Sequence, residues 1–394
     1  MKTSTEHRFS RGLAVLVCIC LANTFAAAAG TPHYVVTNDD VPPFFLSGVS
    51  FYNVGAGGVL TLKEEVQTGA SGIGGGYFTA NRVVVLDSGS AQCVYASNAN
   101  AGEIVGINVN TLQLGGTATG SITDTGTTNG IGLAMNTQYL YASFTDSSTI
   151  GTFQVQSGCS LSFVNDISTL GLQGGIVTAM AIHGSIMIVS YADGSIESFN
   201  ISAGTPVSNG DKQNTTAYTR TQGASYANGI DITQDGHYAI FGDTATSTSI
   251  EVSDISSGKL TTTVQYTLGN VPNSTNVMLS PDETLLYISN NQGDRISAAF
   301  FDSSTGTVSR GCTSARLRNY VSNFSYLASM GTENITGTGS VLYVAEFGSA
   351  SAIAMLSVTS SAGTCTLTEL SNSPVADPYS TSLLSIATFP PRSF

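Results

Sequence analysis

The chain is poor in charge and contains no tryptophan. Lys and Arg account for 13 of its 394 residues and Asp and Glu for 26, so charged side chains make up 10% of it, against about 25% in an average globular protein. That composition excludes a coiled coil and a charged disordered tail. After the first thirty residues no apolar run approaches the roughly 20 residues that a membrane-spanning helix needs. Hydrophobic residues still make up 41% of the chain, enough to bury a core, so we expect a soluble globular protein.

Short catalytic and cofactor motifs are also missing. The sequence has no G-x-S-x-G nucleophile elbow, no phosphate-binding P-loop and no H-E-x-x-H zinc motif. The glycine-rich run Gly72–Tyr77 lacks the last glycine of a dinucleotide-binding fingerprint, and no two cysteines have the C-x-x-C spacing of a zinc site. The sequence therefore implies no cofactor and no metal.

The N-terminus has the three parts of an export signal: a basic start, an apolar run over Leu13–Leu21 and small residues at Ala26–Ala29. We therefore expect residues 1–29 to be a cleaved signal peptide and residues 30–394 to form one domain that is secreted or periplasmic. The alternative, a permanent anchor helix, requires a longer apolar run. We expect no membrane anchor after cleavage.

The expected mature chain is strongly acidic. Residues 1–29 hold three basic residues and one acidic residue, so 10 basic and 25 acidic side chains remain, a net charge of −15. Binding to nucleic acid depends mainly on Lys and Arg that neutralise phosphates. A nucleic-acid partner is therefore not expected.

One five-residue pattern recurs along the chain, an apolar strand that ends in small or polar residues. Its copies are Tyr34–Asn38, Val94–Asn98, Leu140–Phe144, Met187–Tyr191, Ala239–Asp243, Leu286–Asn290 and Leu342–Glu346. Their spacings lie between 46 and 60 residues, as expected for stacked units that cannot bury their faces alone. Further β-branched runs separated by Gly, Asn and Asp turns are typical of strands. Seven copies with four antiparallel strands each predict an all-β fold, a seven-bladed β-propeller.

The two ends of the chain predict how the ring closes. The mature chain enters at Tyr34, at the position of a second strand, so the first blade lacks an innermost strand of its own. The segment Ser382–Phe389 has the composition to supply that strand. We therefore expect the ring to be closed by the C-terminal strand joining the N-terminal blade, which removes open sheet edges.

The repeated pattern, with Leu279–Asn290 as its clearest copy, resembles the YVTN-type seven-bladed β-propellers of the lactonase superfamily. That superfamily includes 6-phosphogluconolactonase-like and carboxymuconate-lactonizing proteins, and the resemblance covers essentially the whole mature chain. The motif describes a blade and says little about chemistry. The resemblance implies His, Glu and Arg in the channel of lactonizing relatives. This chain departs from that pattern, because His183 and His237 fall in turns expected at the opposite mouth.

Polar residues at the starts of the innermost strands are the candidates for ligand binding, since those positions line the channel of a propeller. They are Asn129, Asn228, Asn273, Asn276, Asn323 and Tyr379. Amides donate and accept hydrogen bonds without titrating, which suits a hydroxylated ligand. Asn is also common in tight turns, so a structural role is the alternative.

Three charged residues are candidates for catalysis. Asp231 interrupts an apolar innermost strand, and Glu346 ends the last copy of the pattern where other copies have Asn or Ser. A carboxylate in the channel can act as a base. Arg82 opens an innermost strand, where a cation can stabilise an oxyanion. The alternatives are structural hydrogen bonding for the two acids and a surface ion pair for Arg82.

Four cysteines remain after signal cleavage, an even number in an exported chain, which indicates two disulfides. Cys93 begins a second strand and Cys159 lies beside a turn of the next unit toward the same mouth, whereas Cys312 and Cys365 start matching Thr-rich strands of the last two units. We expect the pairs Cys93–Cys159 and Cys312–Cys365, each joining adjacent blades.

The main functional hypothesis is an exported binding or interaction module, a monomer with a neutral polar funnel for a small hydroxylated molecule or a partner's loop. The alternative is a lactonase-like enzyme acting on a sugar lactone or a muconolactone-type substrate, and a structural envelope protein is a third option. If Asp231 and Arg82 meet in the channel, the enzyme is favoured. A ring made only of amides favours binding.

Overall fold

The fold was obtained as a computed structural model, which describes most of the chain after residue 31. The described residues are 32–39, 46–72, 81–120, 130–145, 147–169, 175–214, 227–243, 249–261, 263–269, 274–290, 295–318, 326–335, 339–347, 351–361, 363–380, 383 and 385–391. The expected signal peptide lies outside these residues.

The described strands form seven antiparallel sheets, here called blades 1 to 7, each given with the innermost strand first. Blade 1 consists of β30 (Ser385–Phe389), β1 (Tyr34–Asp39), β2 (Gly48–Val54) and β3 (Leu60–Gln67). Blade 2 consists of β4 (Val83–Asp87), β5 (Gln92–Asn98), β6 (Glu103–Asn108) and β7 (Gln113–Thr119). Blade 3 consists of β8 (Ile131–Met135), β9 (Tyr139–Phe144), β10 (Thr149–Val155) and β11 (Leu161–Ser168).

The remaining four blades follow in chain order. Blade 4 consists of β12 (Val177–His183), β13 (Ile186–Tyr191), β14 (Ser195–Asn200) and the short β15 (Val207–Ser208) and β16 (Gln213–Asn214). Blade 5 consists of β17 (Ala227–Ile232), β18 (Tyr238–Asp243), β19 (Ser249–Asp254) and β20 (Thr263–Thr267). Blade 6 consists of β21 (Ser274–Leu279), β22 (Leu285–Asn290), β23 (Ile296–Asp302) and β24 (Thr307–Thr313). Blade 7 consists of β25 (Tyr326–Ile335), β26 (Gly339–Phe347), β27 (Ala352–Ser361), β28 (Thr364–Glu369) and β29 (Val375–Ala376).

Helix is nearly absent from the described residues, which contain three single turns of 3₁₀ helix at Ala56–Gly58, Ala99–Ala101 and Ser157–Cys159. None of these is long and apolar enough to cross a lipid bilayer. The prediction of an all-β, seven-bladed β-propeller is confirmed.

The C-terminal strand closes the ring as the sequence predicted. β30 pairs antiparallel with β1, from Tyr34 opposite Phe389 to Asn38 opposite Ser385. The first and last segments of the chain therefore share one sheet, and blade 1 obtains its innermost strand from the other end of the chain.

Hydrophobic packing continues around the whole ring. Seven buried clusters are present, and each one joins two neighbouring blades, including blade 7 to blade 1. Strand β1 shows how this arises, because successive side chains of a strand point to opposite faces of the sheet. Val36 packs toward blade 2, whereas Val35 packs toward Tyr343 of blade 7. Each fully buried side chain of this kind contributes about 1.5–3 kcal/mol. The blades are thus held by the same interaction at every joint.

The structure explains why the repeated pattern carries Tyr and Ser. In two copies the Tyr hydroxyl reaches the outer turn of the next blade: Tyr141 donates to the carbonyl oxygen of Gly204 at 2.8 Å and Tyr343 to that of Gly58 at 3.2 Å. The Ser hydroxyl bonds the innermost strand of its own blade, as Ser143 does by accepting from the Gly132 N–H at 3.1 Å. Residues of the pattern therefore make contacts that hold a blade in the ring.

Both predicted disulfides are present and both join adjacent blades. Cys93 of β5 pairs with Cys159 beside blade 3, and Cys312 of β24 pairs with Cys365 of β28. The first bond joins the second strand of blade 2 to the outer turn of blade 3, and the second joins the outermost strands of blades 6 and 7.

Gly229 lies where the innermost strands of blades 5 and 6 approach each other closely. Its φ is +66° and it occupies a bulge in β17, between Asn228 and Ile230. A Cβ at this position would lie 2.6 Å from the Cα of Asn276 in blade 6. Only glycine satisfies both the backbone conformation and the spacing.

We predict that Gly229→Ala destabilises the protein more than Gly269→Ala does. Gly269 has a similar φ of +73°, but nothing lies within 4 Å of a Cβ placed there. Both variants are therefore destabilised by about 1–2 kcal/mol, because alanine disfavours a left-handed backbone. Only Gly229→Ala adds a steric clash. The free energy of unfolding, measured by urea denaturation, checks this. Equal losses in the two variants would contradict the close approach of blades 5 and 6.

We also predict that the double variant Cys312→Ser, Cys365→Ser loses about 2–4 kcal/mol of unfolding free energy, because the cross-link restricts the unfolded chain. Urea denaturation of both proteins with and without a reductant measures the effect. Reductant should bring the wild type toward the variant or below it, since it also opens Cys93–Cys159. A variant as stable as the oxidised wild type would be inconsistent with a stabilising bond between blades 6 and 7.

Candidate functional site

The centre of the ring contains a cavity of about 260 Å³. Six innermost strands contribute to its described wall, and Pro391, which follows β30, lines it as well. The residues that line it are Asn81, Val83, Val84, Val85, Leu133, Ala134, Met135, Met180, Ala181, Ile182, Ile230, Asp231, Ile232, Asn276, Val277, Met278, Ile386, Ala387, Thr388 and Pro391.

The described wall of this cavity is mainly apolar. Its polar side chains are Asn81, Asp231, Asn276 and Thr388, and the remaining sixteen lining residues are aliphatic, methionine or proline. This composition follows from the sequence of the innermost strands, which are apolar because their faces pack between blades. The amide-lined funnel that the sequence predicts stays a prediction, because most of its amides lie outside the described residues.

Asp231 is the carboxylate of the described cavity wall. It lies on β17 and is half-buried. Its Oδ1 accepts the N–H of Ile232 at 2.9 Å, and its Oδ2 accepts the N–H of Leu279 in blade 6 at 2.7 Å. The innermost strand of each blade has an edge that faces the channel, and its N–H groups need partners there. Asp231 satisfies two such groups and joins blades 5 and 6.

Asn276 also lies on the cavity wall and is the amide candidate that the structure places there. Its Oδ1 accepts the N–H of Val277 at 2.9 Å, and its own N–H donates to Ser289 at 3.1 Å. Of the other amide candidates, Asn228 lies on β17 with its side chain outside the description, and Asn129, Asn273 and Asn323 lie outside the described residues.

The remaining candidates do not line the cavity. Arg82 is 1% exposed, and its guanidinium packs against Gly130 at the start of blade 3, where a Cβ would come within 2.9 Å of Nη2. Glu346 is buried on β26, between β25 and β27. Tyr379 is 45% exposed and follows β29. Asp231 and Arg82 therefore occupy separate places in the ring.

The histidines lie at the mouth where the innermost strands end, as their turns suggested. His183 ends β12, and its Nε2 lies 2.9 Å from the carbonyl oxygen of Gln234. His237 is in the β17–β18 turn, with Nδ1 3.1 Å from Oδ2 of Asp235. Hydrogen bonds from Thr233 and from the His237 N–H, with the nearby imidazole, outweigh burial and lower the pKa of Asp235. Within the described ranges no three His, Cys, Asp or Glu side chains converge on a possible metal position.

A pair of buried acids lies at the joint of blades 1 and 7, outside the cavity wall. Asp39 ends β1 and is fully buried, and Asp377 follows β29 and is 5% exposed. The Thr37 hydroxyl lies 2.7 Å from Oδ1 of Asp39 and 3.1 Å from Oδ2 of Asp377. Ser50 donates to the other Asp39 oxygen at 2.6 Å. We call these two acids the joint pair.

Burial raises the pKa of Asp39 well above its usual range, and the negative charge of Asp377 raises it further. The hydroxyl bonds from Ser50 and Thr37 act in the opposite direction but are smaller. Burial and the same two carboxyl groups also raise the pKa of Tyr52, whose ring is packed at this joint. Asp39 therefore retains its proton at a pH where an exposed carboxyl has lost it.

Sequence reasoning missed the joint pair, although it left a signal. Asp39 directly follows the first copy of the repeated pattern, where the other copies are followed by Ala99, Thr145, Ala192, Thr244, Asn291 and Phe347. A single carboxylate at a repeated buried position indicates a special local partner. That partner, Asp377, lies 338 residues further along the sequence, so spacing alone could not reveal it.

Comparison with protein families identifies the class of the protein. Residues 93–378 match the model of the family described as lactonase, 7-bladed beta-propeller. The matched region covers more than half of the chain, and the chain belongs to this family. No curated protein matches its sequence significantly.

Solved structures share its fold at low sequence identity. A candidate 6-phosphogluconolactonase from Bacteroides fragilis superposes with a TM-score of 0.62 at 15% identity, covering 92% of this chain and 99% of the other. The periplasmic gluconolactonase of Pseudomonas aeruginosa gives a TM-score of 0.56 at 13% identity, covering 72% and 82% of the two chains. A functionally unknown protein from Desulfotomaculum acetoxidans gives 0.62 at 13% identity, covering 90% and 98%. At these identities the likeness concerns the fold.

We predict that Asp39→Asn makes the protein more stable above neutral pH. Because the pKa of Asp39 is raised on folding, the folded state binds more protons than the unfolded state, and stability falls as pH rises from about 4, the unfolded value, through the raised pKa. Asn resembles the protonated acid and does not titrate, so the gain of the variant over the wild type should grow with pH. Urea denaturation from pH 4 to pH 9 measures the difference.

Asp302→Asn is the control for this prediction. Hydrogen bonds from Ser304, with further ones from Thr305, lower the pKa of the exposed Asp302. The ionised Asp302 therefore stabilises the folded protein at a pH above the pKa of the unfolded chain. Asp302→Asn should not become more stable than the wild type at high pH. If the free energy of unfolding of Asp39→Asn depends on pH in the same way as that of Asp302→Asn, Asp39 does not retain a proton in the folded protein.

Proposed function

We propose that this protein is a lactonase-like hydrolase whose central cavity binds the lactone and whose Asp231 is the general base. The family to which the chain belongs supports the reaction type. The observation that carries the residue assignment is that Asp231 is the carboxylate of the described cavity wall. Lactone hydrolysis at neutral pH needs such a base to activate water.

The proposed reaction can be written with these groups alone. Asp231 takes a proton from water as the water oxygen bonds to the lactone carbonyl carbon, and the bond between that carbon and the ring oxygen then breaks. The same proton passes to the leaving ring oxygen, which gives a hydroxy acid. The bonds from Ile232 and Leu279 hold the carboxylate in place, as a positioned base requires.

A binding protein is the second candidate, and the wall of the cavity favours it. No Arg or Lys lines the cavity within the described part of the chain, and Asp231 is separated from the guanidinium of Arg82. An enzyme that stabilises an oxyanion usually supplies donors for it. Turnover of a lactone distinguishes the two candidates.

We propose that the protein works after export, once residues 1–29 have been removed. The two disulfides agree with an oxidising compartment outside the cytosol, and the basic and apolar start of the sequence agrees with a signal peptide. Mass spectrometry of the N-terminus of exported protein tests the cleavage near residue 29.

We predict that Asp231→Asn lowers kcat/KM for lactone hydrolysis by about 10²–10⁴-fold, the contribution of a positioned general base. The Asn oxygen can still accept one of the two backbone bonds, so the variant should fold. Initial rates in a pH-stat, with thermal unfolding to check the fold, measure this. Glu346→Gln is the matched control, since it changes a buried acid away from the cavity and should retain the wild-type rate. Wild-type turnover by the folded Asp231→Asn protein would remove Asp231 from the mechanism.

A further inference from the structure

We infer that the side-chain NH₂ group of Asn276 binds the carbonyl oxygen of the ligand in the central cavity and stabilises the oxyanion that forms on it. This inference deepens the proposed function and rests on it for the reaction. With the base Asp231 on blade 5, it gives the site a hydrogen-bond donor on the neighbouring blade 6.

The carboxamide of Asn276 has a defined orientation. Its Oδ1 accepts the N–H of Val277, the next residue along β21, at 2.9 Å. A flipped amide would place its NH₂ group against that N–H, so the bond decides which atom is the oxygen. Because the amide is planar, with Oδ1 and Nδ2 on opposite sides of Cγ, Nδ2 points away from the N–H of Val277.

Nδ2 of Asn276 is available to a ligand. Gly229 of blade 5 packs against this side chain, and a Cβ there would come within 3.0 Å of Cγ, so the glycine leaves the space that the carboxamide occupies. The residue is half-buried at the cavity wall, and no acceptor among the described residues bonds to Nδ2. A half-buried donor without a partner gains a hydrogen bond when a ligand supplies the acceptor.

Asp231 is held in the same way on the adjacent innermost strand. Its Oδ1 accepts the N–H of Ile232, the residue that follows it, just as Oδ1 of Asn276 accepts from the residue that follows Asn276. The second oxygen of Asp231 accepts the N–H of Leu279 on β21 at 2.7 Å. A carboxylate and an amide donor, each positioned by its own strand, therefore lie on neighbouring blades.

The spacing of these two groups fits a water molecule and a carbonyl group between them. The bond to Leu279 places the carboxylate of Asp231 three residues beyond Asn276 along β21, about 10 Å in an extended strand. The bond from water to the carboxylate, the approach of that water to the carbonyl carbon, the C=O bond and the bond to Nδ2 together span about 10 Å. The other polar side chains of the described wall, Asn81 and Thr388, belong to blades 2 and 1, which do not adjoin blade 5.

The amide acts on the electrons of the carbonyl group. As the water oxygen bonds to the carbonyl carbon, one electron pair of the C=O bond moves to the carbonyl oxygen, which becomes an oxyanion. A donor aimed at that oxygen stabilises the charge more than it stabilises the neutral carbonyl. The electron pair returns to form the C=O bond of the acid when the bond to the ring oxygen breaks. The ring oxygen then takes the proton that Asp231 removed from water.

Two variants separate the donor from a structural role. Asn276→Asp keeps an oxygen for the N–H of Val277 but has no NH₂ group, whereas Asn276→Ala lacks both and adds no charge. We expect each variant to lower kcat by about 10²–10³-fold, the usual effect of removing one oxyanion donor, with a smaller change in KM. The rates are measured with D-glucono-δ-lactone and with δ-valerolactone, and thermal unfolding checks the fold.

Asn108→Asp is the matched control. Oδ1 of Asn108 also accepts backbone N–H groups, but this residue ends β6, the third strand of blade 2, so the variant should keep the wild-type kcat. A folded Asn276→Asp protein with the wild-type kcat would overturn the inference, because the bond to Val277 would then be the whole role of Asn276. If Asn276→Ala does not fold, the following measurement shows whether the loss in Asn276→Asp comes from the missing donor.

The side-chain amide signals of Asn276 in a nitrogen–proton correlation spectrum test the contact without turnover. They are the pair missing from the spectrum of Asn276→Asp. We expect them to shift when D-glucono-δ-lactam or δ-valerolactam is added, since both analogues keep the carbonyl group and resist hydrolysis. Shifted signals in a protein that hydrolyses neither lactone would support the contact and overturn the proposed hydrolase. Hydrolysis with unshifted signals would overturn the inference and leave the hydrolase intact. Neither shift nor hydrolysis would overturn both.

Discussion

The pairing of β30 with β1 is the interaction on which the rest of the structure depends. Those few backbone hydrogen bonds join residues that are about 350 positions apart in the sequence, and they hold in place the blade that packs against both blade 2 and blade 7. Without β30, blade 1 would expose the edge of β1, and Ile386, Ala387 and Thr388 would be missing from the cavity wall. The cavity exists because the ring is closed.

Blade 1 makes polar contacts with both of its neighbours, blades 7 and 2. The alternation of side chains along β1 places Thr37 and Asp39 toward blade 7 and Asn38 toward blade 2. Asn38 donates to the carbonyl oxygens of Arg82 and Ser97, and Ser385 accepts from the N–H groups of Arg82 and Val83. Chain termini are a natural place for a sheet to fray, and directional bonds on both faces of blade 1 counteract this.

The innermost strands explain why the site has few polar groups. Each of these strands packs its faces against neighbouring blades, which requires apolar side chains, and has an edge toward the channel whose N–H groups need acceptors. Asp231 and Asn276 serve that need with oxygens that would otherwise be offered to a ligand. The same bonds hold the Asp231 carboxylate at the cavity wall, where the proposed function uses it as a base.

The fold could be predicted from the sequence because every blade repeats the same contacts. The apolar residues of the repeated pattern pack between neighbouring blades at all seven joints, so seven copies, the closing strand and both disulfide pairs were visible from spacing and composition. The position of Asp231 on an innermost strand was equally accessible, since its apolar neighbours fix the register.

The arrangement of the site was less accessible from the sequence. Arg82 is a channel candidate because it precedes an innermost strand, and its guanidinium packs against Gly130 at the start of the innermost strand of blade 3, a contact that the sequence does not reveal. The joint pair depends on a contact between blade 1 and blade 7 that no repeat encodes. Such a contact joins neighbouring blades whose residues lie far apart in the sequence, so the repeated pattern cannot predict it.

Amide hydrogen exchange along β30 tests the closed ring most directly. If β30 is the innermost strand of blade 1, those of its amides that bond to β1 should exchange only on global unfolding, at the same rate as the protected amides of β1 and with the same dependence on urea. Rapid exchange of every β30 amide, while β5 and β9 remain protected, would show that the C-terminal strand lies outside the ring and that the cavity described above is not closed by it.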